Sequence, residues 1–182
     1  MFDDSIKILT KPREAFAEFK TKANKREAVL ILAWFYGVLG LIIGLFIALA
    51  AYLFSSSPLA FLLPAGFTPI ISLAAVILVP VFLVIGSIFL YAFSAFLSKI
   101  VADLLGGKAS FTEWFYVSAK INLLVFFGLA LDIFIRLIPS VVIRLAFDLI
   151  SLLYGAYLIY LSVILTSEIA KLSVGKSILA IV

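Results

Sequence analysis

The chain has 182 residues, of which 65% are hydrophobic and 13% charged, and it carries a formal net charge of +4. That hydrophobic share, with a mean hydropathy of +1.30, exceeds the about 45–50% of an ordinary soluble domain, so a lone soluble globule is excluded. The sequence has no cysteine and no histidine, which also excludes disulfides, thiolate chemistry and histidine metal sites. The composition therefore predicts an all-α, polytopic membrane protein.

Residues 1–27, here called the arm, predict a cytoplasmic, basic, amphipathic segment. Its apolar residues recur at helical spacings among seven bases and five acids, and Pro12 is suited to the first turn of a second short helix. A basic amphipathic helix lies in the plane of the lipid headgroups. Anionic lipid is thus one partner that the arm suggests, and a plain anchor that orients the first span is the alternative. The apolar positions are Phe2, Ile6, Leu9, Phe16, Phe19 and Ala23.

Residues 28–167 predict a bundle of four membrane spans. No charged residue occurs from Ala28 to Ser98, and serines and prolines between positions 55 and 69 divide this run in two. Because about 20 apolar residues cross a bilayer, we expect spans over residues 28–54, 70–98, 115–137 and 140–167. The 58–69 connector is expected at the interface or packed onto the bundle. Residues 168–182 are predicted to form a cytoplasmic tail or a truncated fifth helix.

The positive residues are distributed unequally between the two sides of this bundle. Twelve bases fall in the arm, around the second connection and in the tail, whereas two fall on the opposite side. Cytoplasmic segments carry the excess of lysine and arginine. Both termini are therefore predicted to be cytoplasmic. This requires an even number of spans, and four spans satisfy it.

Small residues share one face of the first span and polar residues share one face of the second. The small face favours close helix packing, either within the chain or in a homodimer. The polar stripe, which follows a kink expected at Pro80, suggests either hydrogen bonds to neighbouring helices or a solute path. The small face is Ala33, Gly37, Gly40, Gly44, Ala48 and Ala51, and the polar stripe is Ser87, Tyr91, Ser94 and Ser98.

Four charges surround the turn between the third and fourth spans. Charges at membrane depth are costly unless they are paired or functional. We predict an interhelical pair of Asp132 with Arg144, flanked by Arg136 and Asp148, and an ion or substrate site is the alternative. Farther along the fourth span, three tyrosines (Tyr154, Tyr157 and Tyr160) are expected to donate hydrogen bonds within the protein.

The connection between the second and third spans contains a loop motif. Gly106 and Gly107 predict the end of one helix, and Ser110 with Glu113 forms a capping box for the next. The glycines lack the spacing of a phosphate-binding loop. No catalytic residue, cofactor site or metal site is predicted anywhere in the chain. The loop motif is Gly106, Gly107, Lys108, Ser110, Phe111 and Glu113.

Three segments together resemble the Yip domain family, the Ypt-interacting proteins and their prokaryotic relatives. They are KPREAFAEFK before the first span, LLGGKASFTEWFYVSA at the third, and LTSEIAKLSVGKSILAIV after the fourth. The family usually has five spans, and it has alanine where this chain has Ser177. The resemblance implies a non-enzymatic membrane protein. The compact chain is similar to the prokaryotic branch, which implies the cytoplasmic membrane, so the GTPase binding of eukaryotic relatives is not carried over.

We therefore expect a membrane scaffold or adaptor whose contact surfaces are the arm and the loop motif. The expected partners are the lipid bilayer and either a second copy of the chain or another membrane protein, without nucleic acid. The alternative is a small-solute or ion transporter or channel that uses the polar stripe and the Asp132 and Arg144 charges.

Overall fold

The protein is described by a computed structural model that covers residues 2–57, 67–136 and 140–181. These residues form seven α-helices and no strand. The helices are α1 (Phe2–Thr10), α2 (Pro12–Thr21), α3 (Lys25–Ser55), α4 (Phe67–Leu104), α5 (Phe111–Arg136), α6 (Val141–Ala170) and α7 (Val174–Leu179).

Three of these helices are long and apolar enough to cross a membrane. They are α3, α4 and the Leu145–Ala170 part of α6. The all-α class and the transmembrane character predicted from composition are confirmed. The third predicted span (115–137) corresponds to α5, which is 26 residues long but includes Glu113 and Lys120, and it is not one of these three helices. The connector at 58–66 and the turn at 137–139 lie outside the described residues.

The long helices extend a few residues beyond the predicted spans. α4 continues from residue 98 to Leu104, where Lys99 and Asp103 form an ion pair at i, i+4 that favours a helix. α3 begins three residues before Ala28, where the Asn24 side chain accepts a hydrogen bond from the Arg26 N–H at 2.9 Å. The Glu27 carboxylate, one turn along, lies 2.9 Å from the Lys120 ammonium.

The described chain divides into two compact units. One unit comprises residues 29–92, which are most of α3 and the first part of α4. Here α3 packs tightly on α4, since a Cβ on Gly40 would collide with the backbone of Pro80, and one on Gly44 would lie 2.6 Å from the Ala75 carbonyl oxygen. Glycine allows this close approach between helices.

The other unit comprises residues 1–28 and 93–182 and holds α1, α2, α5, α6 and α7. α1 and α2 pack on each other; α1 also packs on α5, and α2 packs on both α5 and α6. Of the predicted apolar positions of the arm, Phe16 and Phe19 are buried, while Ile6 and Leu9 stay exposed. The apolar face of α2 therefore packs against protein. Placement of the arm in the headgroup plane stays a prediction.

Candidate functional site

The three segments that carry the family resemblance meet in one place, which we call the junction (residues 105–113, residues 167–177 and Lys20). The Lys108 N–H donates to the carbonyl oxygen of Ala170 at 3.1 Å. The Lys20 ammonium donates to the carbonyl oxygen of Ile169 at 2.5 Å, and the Lys176 ammonium donates to that of Leu105 at 2.8 Å. One residue of each segment thus satisfies a carbonyl group of another.

The two glycines of the loop motif are needed for different physical reasons. Gly106 has φ +89°, a left-handed conformation that side chains rarely adopt, and its N–H donates to the Asp103 carbonyl at 3.0 Å. The Gly107 N–H donates to the Ala102 carbonyl at 2.7 Å, which completes a Schellman motif at the end of α4. A Cβ on Gly107 would lie 2.8 Å from the Ala102 oxygen and 3.1 Å from the Ala170 side chain.

The start of α5 carries the predicted capping box. The Glu113 N–H donates to the Ser110 hydroxyl at 3.2 Å, and the Ser110 N–H donates to the Glu113 carboxylate at 2.5 Å. The same carboxylate lies 3.9 Å from the Lys20 ammonium, and the Lys25 ammonium lies 5.6 Å from the centre of the Phe111 ring. The cap therefore also connects α5 with the arm.

The end of α6 turns sharply at Lys171. This residue has φ 58°, so it occupies the left-handed position where glycine is usual. The Ser167 hydroxyl donates to the Leu172 carbonyl at 2.9 Å, and Leu172 and Ser177 are buried. The Ser177 hydroxyl donates to the Ser173 carbonyl at 3.0 Å.

A second cluster, which we call the clamp, surrounds Lys120 of α5. The Lys120 ammonium lies 2.7 Å from the Asp4 carboxylate and 2.9 Å from the Glu27 carboxylate, and only 9% of its side chain is exposed. The ammonium also lies over the rings of Tyr116, at 5.3 Å, and Phe19, at 5.7 Å. The clamp thereby joins α1, α2, α3 and α5.

The bases of α1 and α2 are paired with carboxylates. Lys7 and Lys22 both pair with Glu18, Lys11 lies 3.4 Å from Glu14, and Arg13 lies 4.0 Å from Glu168. The hydrogen bond from Lys22, followed by that from Lys7, lowers the pKa of Glu18 to about 2, and the same pairing raises the pKa of Lys22. The positive charges between Lys7 and Lys22 are therefore largely balanced locally.

The small face predicted in α3 lies partly at the contact with α4. Gly40 and Gly44 are buried there, and a Cβ on Gly37 would make an ordinary 3.8 Å contact with Val84. This is packing within the chain. The remaining members, which are half-buried, are Ala33, Ala48 and Ala51.

The polar stripe of α4 does not share a single environment. Ser87 is buried, and its hydroxyl donates to the Val84 carbonyl of its own helix at 2.9 Å. Tyr91 is half-buried with its ring 6.3 Å from that of Tyr36, and Ser98 is half-buried, whereas Ser94 is exposed. The structure does not bring these four residues together around one cavity.

Most of the charged side chains predicted at membrane depth lie outside the described part of the chain. Asp132 and Arg136 belong to α5 and Arg144 to α6, but their side chains lie outside the described part of the chain, so the predicted pair stays a prediction. Asp148 is exposed on α6.

Two of the α6 tyrosines donate to backbone carbonyls of other helices. The Tyr154 hydroxyl crosses Gly128 to reach the Leu124 carbonyl at 2.5 Å, and the Tyr157 hydroxyl reaches the Leu9 carbonyl at 2.7 Å. Tyr160 lines a shallow groove of about 210 Å³ with Lys11, Pro12, Arg13, Glu14 and Ile164. The tyrosines thus position α1 and α5 against α6.

Sequence reasoning did not identify Lys20, Lys120 and Lys176 as site residues. Lys20 and Lys176 appear in the sequence as lysines among other bases, and the partner of each of the three is far away along the chain. The available signal was Lys120 itself, which is a single charge among apolar neighbours. The junction and the clamp thus depend on hydrogen bonds and ion pairs between residues far apart in the chain.

Comparison with known proteins agrees with this arrangement. No curated protein and no solved structure matches the chain. A family model described as the Yip1 domain matches residues 6–182, which include α2, the junction and every member of the clamp except Asp4. Since the match covers nearly the whole chain, which also has three apolar helices long enough to span a membrane, the protein is an integral membrane protein that belongs to the Yip1 domain family.

Proposed function

We propose that the protein is a non-enzymatic membrane scaffold or adaptor that presents a folded cytoplasmic surface to a protein partner. The observation that carries this proposal is the docking of the arm. Because Phe16 and Phe19 are buried within the protein, the opposite side of α2, with Arg13, Glu14 and Ala17 exposed, is a fixed polar surface. A fixed surface loses little conformational entropy when a partner binds.

We also propose that α5 spans the membrane in addition to α3, α4 and α6, which gives four spans. Both termini would then lie in the cytoplasm of a prokaryote. The start of α3, the end of α4, the start of α5 and the end of α6 carry contacts that converge on the junction. That convergence supports a bundle in which each of these helix ends lies on the same side of the membrane. The excess of bases at these ends supports the cytoplasmic side.

Single-cysteine labelling tests this topology, because the chain has no native cysteine. A cysteine at Lys108 should react with a membrane-impermeant maleimide only after the cells are opened. A cysteine at Ser56 should react in intact cells. The opposite pattern at either position contradicts the proposed orientation.

Photo-crosslinking tests the scaffold role. A benzophenone on a cysteine at Ala17 or Glu14, which are exposed on α2, should capture the same protein in native membranes. The matched control is Leu152, an exposed apolar position on α6, which should crosslink to lipid only. Capture of the same chain would identify a homo-oligomer. Crosslinks to lipid alone from all three positions contradict the scaffold role.

The transporter alternative has less support. Ser87 donates to its own helix and Ser94 is exposed, so the polar stripe is not arranged around a common path. The test is to measure ion or solute uptake by proteoliposomes that contain the wild-type protein or Ser87→Ala. A change in the uptake rate in the variant would favour transport over the scaffold role.

Contact with anionic lipid is the last part of the proposed function. The sequence predicts this contact for the arm, and α1 keeps Ile6 and Leu9 exposed, as contact with lipid requires. The bilayer is a partner in any case, since three helices expose apolar side chains along their length.

A further inference from the structure

The unpaired positive charge of the described chain is concentrated at the junction. Seven of the bases whose side chains are described have a carboxylate within 4.0 Å, and these include each base of α1 and α2. Five bases have no such partner among the described residues. They are Lys25, Arg26, Lys108, Lys171 and Lys176, here called the basic face.

The members of the basic face are close to one another through the contacts of the junction. Lys25 lies over the Phe111 ring at the start of α5, and Arg26 is its neighbour in the chain. The Lys108 backbone is bonded to Ala170, the residue before Lys171. The Lys176 ammonium is bonded to the carbonyl of Leu105 and lies 3.9 Å from where a Cβ of Gly106 would be. All five residues are exposed.

Nearby carboxylates do not neutralise this face. Glu113 bonds to the Ser110 N–H and faces Lys20, Glu168 faces Arg13, and Asp103 pairs with Lys99. The basic face therefore holds five positive charges, compared with the net charge of +4 for the whole chain. Each of the other described bases lies within 4.0 Å of a carboxylate.

We infer that the basic face binds the anionic headgroups of the adjoining leaflet, and that the ion-paired bases of α1 and α2 do not. The inference rests on the proposed topology and deepens the lipid contact included in the proposed function. It narrows the residues responsible, because the sequence predicted this role for the whole arm, of which only Lys25 and Arg26 belong to the basic face.

Two observations favour a lipid surface over a soluble acidic partner. First, the basic residues lie where apolar helices begin or end: Lys25 opens α3, and Lys171 directly follows α6. Such positions are at headgroup depth, where each basic residue attracts anionic lipid. Second, α7 exposes apolar side chains next to Lys176 while its Ser177 is buried. Exposed apolar residues beside a base are typical of a helix that lies in the interface. They are Val174, Ile178 and Leu179.

The test compares two variants with the same change in charge. The full chain is reconstituted in equal amounts of phosphatidylglycerol and phosphatidylcholine and then extracted with limiting detergent, and the bound lipids are quantified. Wild type should retain phosphatidylglycerol preferentially. The variant Lys108→Gln/Lys171→Gln/Lys176→Gln should lose most of this preference. The ratio of retained phosphatidylglycerol to phosphatidylcholine should fall at least about threefold, since one base raises the affinity for anionic lipid by up to about fivefold. The control Lys7→Gln/Lys11→Gln/Lys22→Gln should keep it.

Three outcomes would overturn the inference. Equal losses in the two variants would mean that the net charge alone matters. A loss in the Lys7/Lys11/Lys22 variant only would assign the contact to these ion-paired bases instead of the basic face. Wild type could also show no lipid preference and instead bind a soluble polyglutamate peptide. If the Lys108/Lys171/Lys176 variant did not bind this peptide, the basic face would be assigned to an acidic protein partner.

Two controls keep these results interpretable. Because Lys176 bonds to Leu105, the double variant Lys108→Gln/Lys171→Gln is measured as well and should lose part of the preference with the fold intact. The preference of wild type should also decrease with rising salt, since exposed charges are screened. Labelling at Lys108 reports the topology independently, so failure of the lipid inference can be distinguished from failure of the proposed orientation.

Discussion

Lys120 and Asp4 are 116 positions apart in the chain, yet the ammonium of one lies 2.7 Å from the carboxylate of the other. This pair joins the first helix of the arm to α5, and Glu27 adds a second carboxylate at 2.9 Å. A lysine that is 9% exposed cannot be solvated well by water, so the arm supplies the charges that stabilise it. The arm is therefore part of the folded protein.

We expect Lys120→Met to destabilise the purified protein by about 2 kcal/mol. Removing one partner of a largely buried pair leaves the other charges uncompensated, which costs about 3–5 kcal/mol in a fully buried setting. The expected cost is lower here because Asp4 and Glu27 are partly exposed. Thermal unfolding in detergent measures the change.

Two variants control this measurement. Lys11→Met removes a base whose partner Glu14 is exposed, 3.4 Å away, and should change stability by less than about 1 kcal/mol, as is usual for surface ion pairs. Lys120→Met/Asp4→Asn/Glu27→Gln should recover part of the loss. If the triple variant is less stable than Lys120→Met, the Asp4 and Glu27 carboxylates do not destabilise the protein when Lys120 is absent. The clamp would then not stabilise the fold through charge pairing.

The junction should be sensitive to a single methyl group at Gly107. A Cβ there would lie 2.8 Å from the Ala102 carbonyl oxygen and 3.1 Å from the Ala170 side chain, so Gly107→Ala should cost about 1–3 kcal/mol through overpacking. The matched control is Gly175→Ala, which meets nothing within 4 Å and should be neutral or slightly stabilising because alanine favours helix. Similar melting temperatures for the two variants would contradict the proposed packing.

Local sequence patterns predicted much of the fold, and long-range contacts account for what they missed. Gly106, Gly107, Ser110 and Glu113 predicted a helix end and a capping box, because these motifs involve residues within a few positions of one another. The contact between Lys20 and Ile169 joins residues 149 positions apart, and spacing along the sequence carries no information about it.

The arm shows the same limit more clearly. Residues 2–10 and 12–21 are helical, but the periodicity of the apolar residues does not state what covers them. In the structure Phe16 and Phe19 pack against protein, while Ile6 remains exposed. The basic character of the arm was also misleading as a guide to its local charge, since Glu14, Glu18 and Glu168 pair with its bases. Net composition cannot show that pairing.

The contact between α3 and α4 should depend on Gly40. A Cβ at this position would collide with the backbone of Pro80, which cannot move aside without shifting the helix. We expect Gly40→Ala to destabilise the protein by about 1–3 kcal/mol. Gly37→Ala, which would meet only the Val84 side chain at 3.8 Å, should be tolerated. Equal stability of Gly40→Ala and Gly37→Ala would contradict the close packing of α3 on α4 at Gly40.

The stability of the arm should depend on acid through Glu18. Hydrogen bonds from Lys22 and Lys7 lower the pKa of this carboxyl from 4.5 to about 2. A pKa that is lower in the folded state means that ionised Glu18 stabilises the fold. This contribution is complete above pH 4.5, decreases as the pH falls from about 4.5 to about 2, and is lost below that range. The difference in melting temperature between wild type and Glu18→Gln should therefore shrink towards zero over the same interval.

Comparing the two proteins at each pH isolates this one group, since every other carboxyl titrates in both. Glu14→Gln is the matched control, because Glu14 is on the same helix but pairs with Lys11 in a more exposed place. Its difference from wild type should be small throughout, as solvent and salt weaken an exposed pair. A difference between wild type and Glu18→Gln that stays constant from pH 6 to pH 2 would show that Glu18 contributes by packing, and that Lys7 and Lys22 do not hold it by charge.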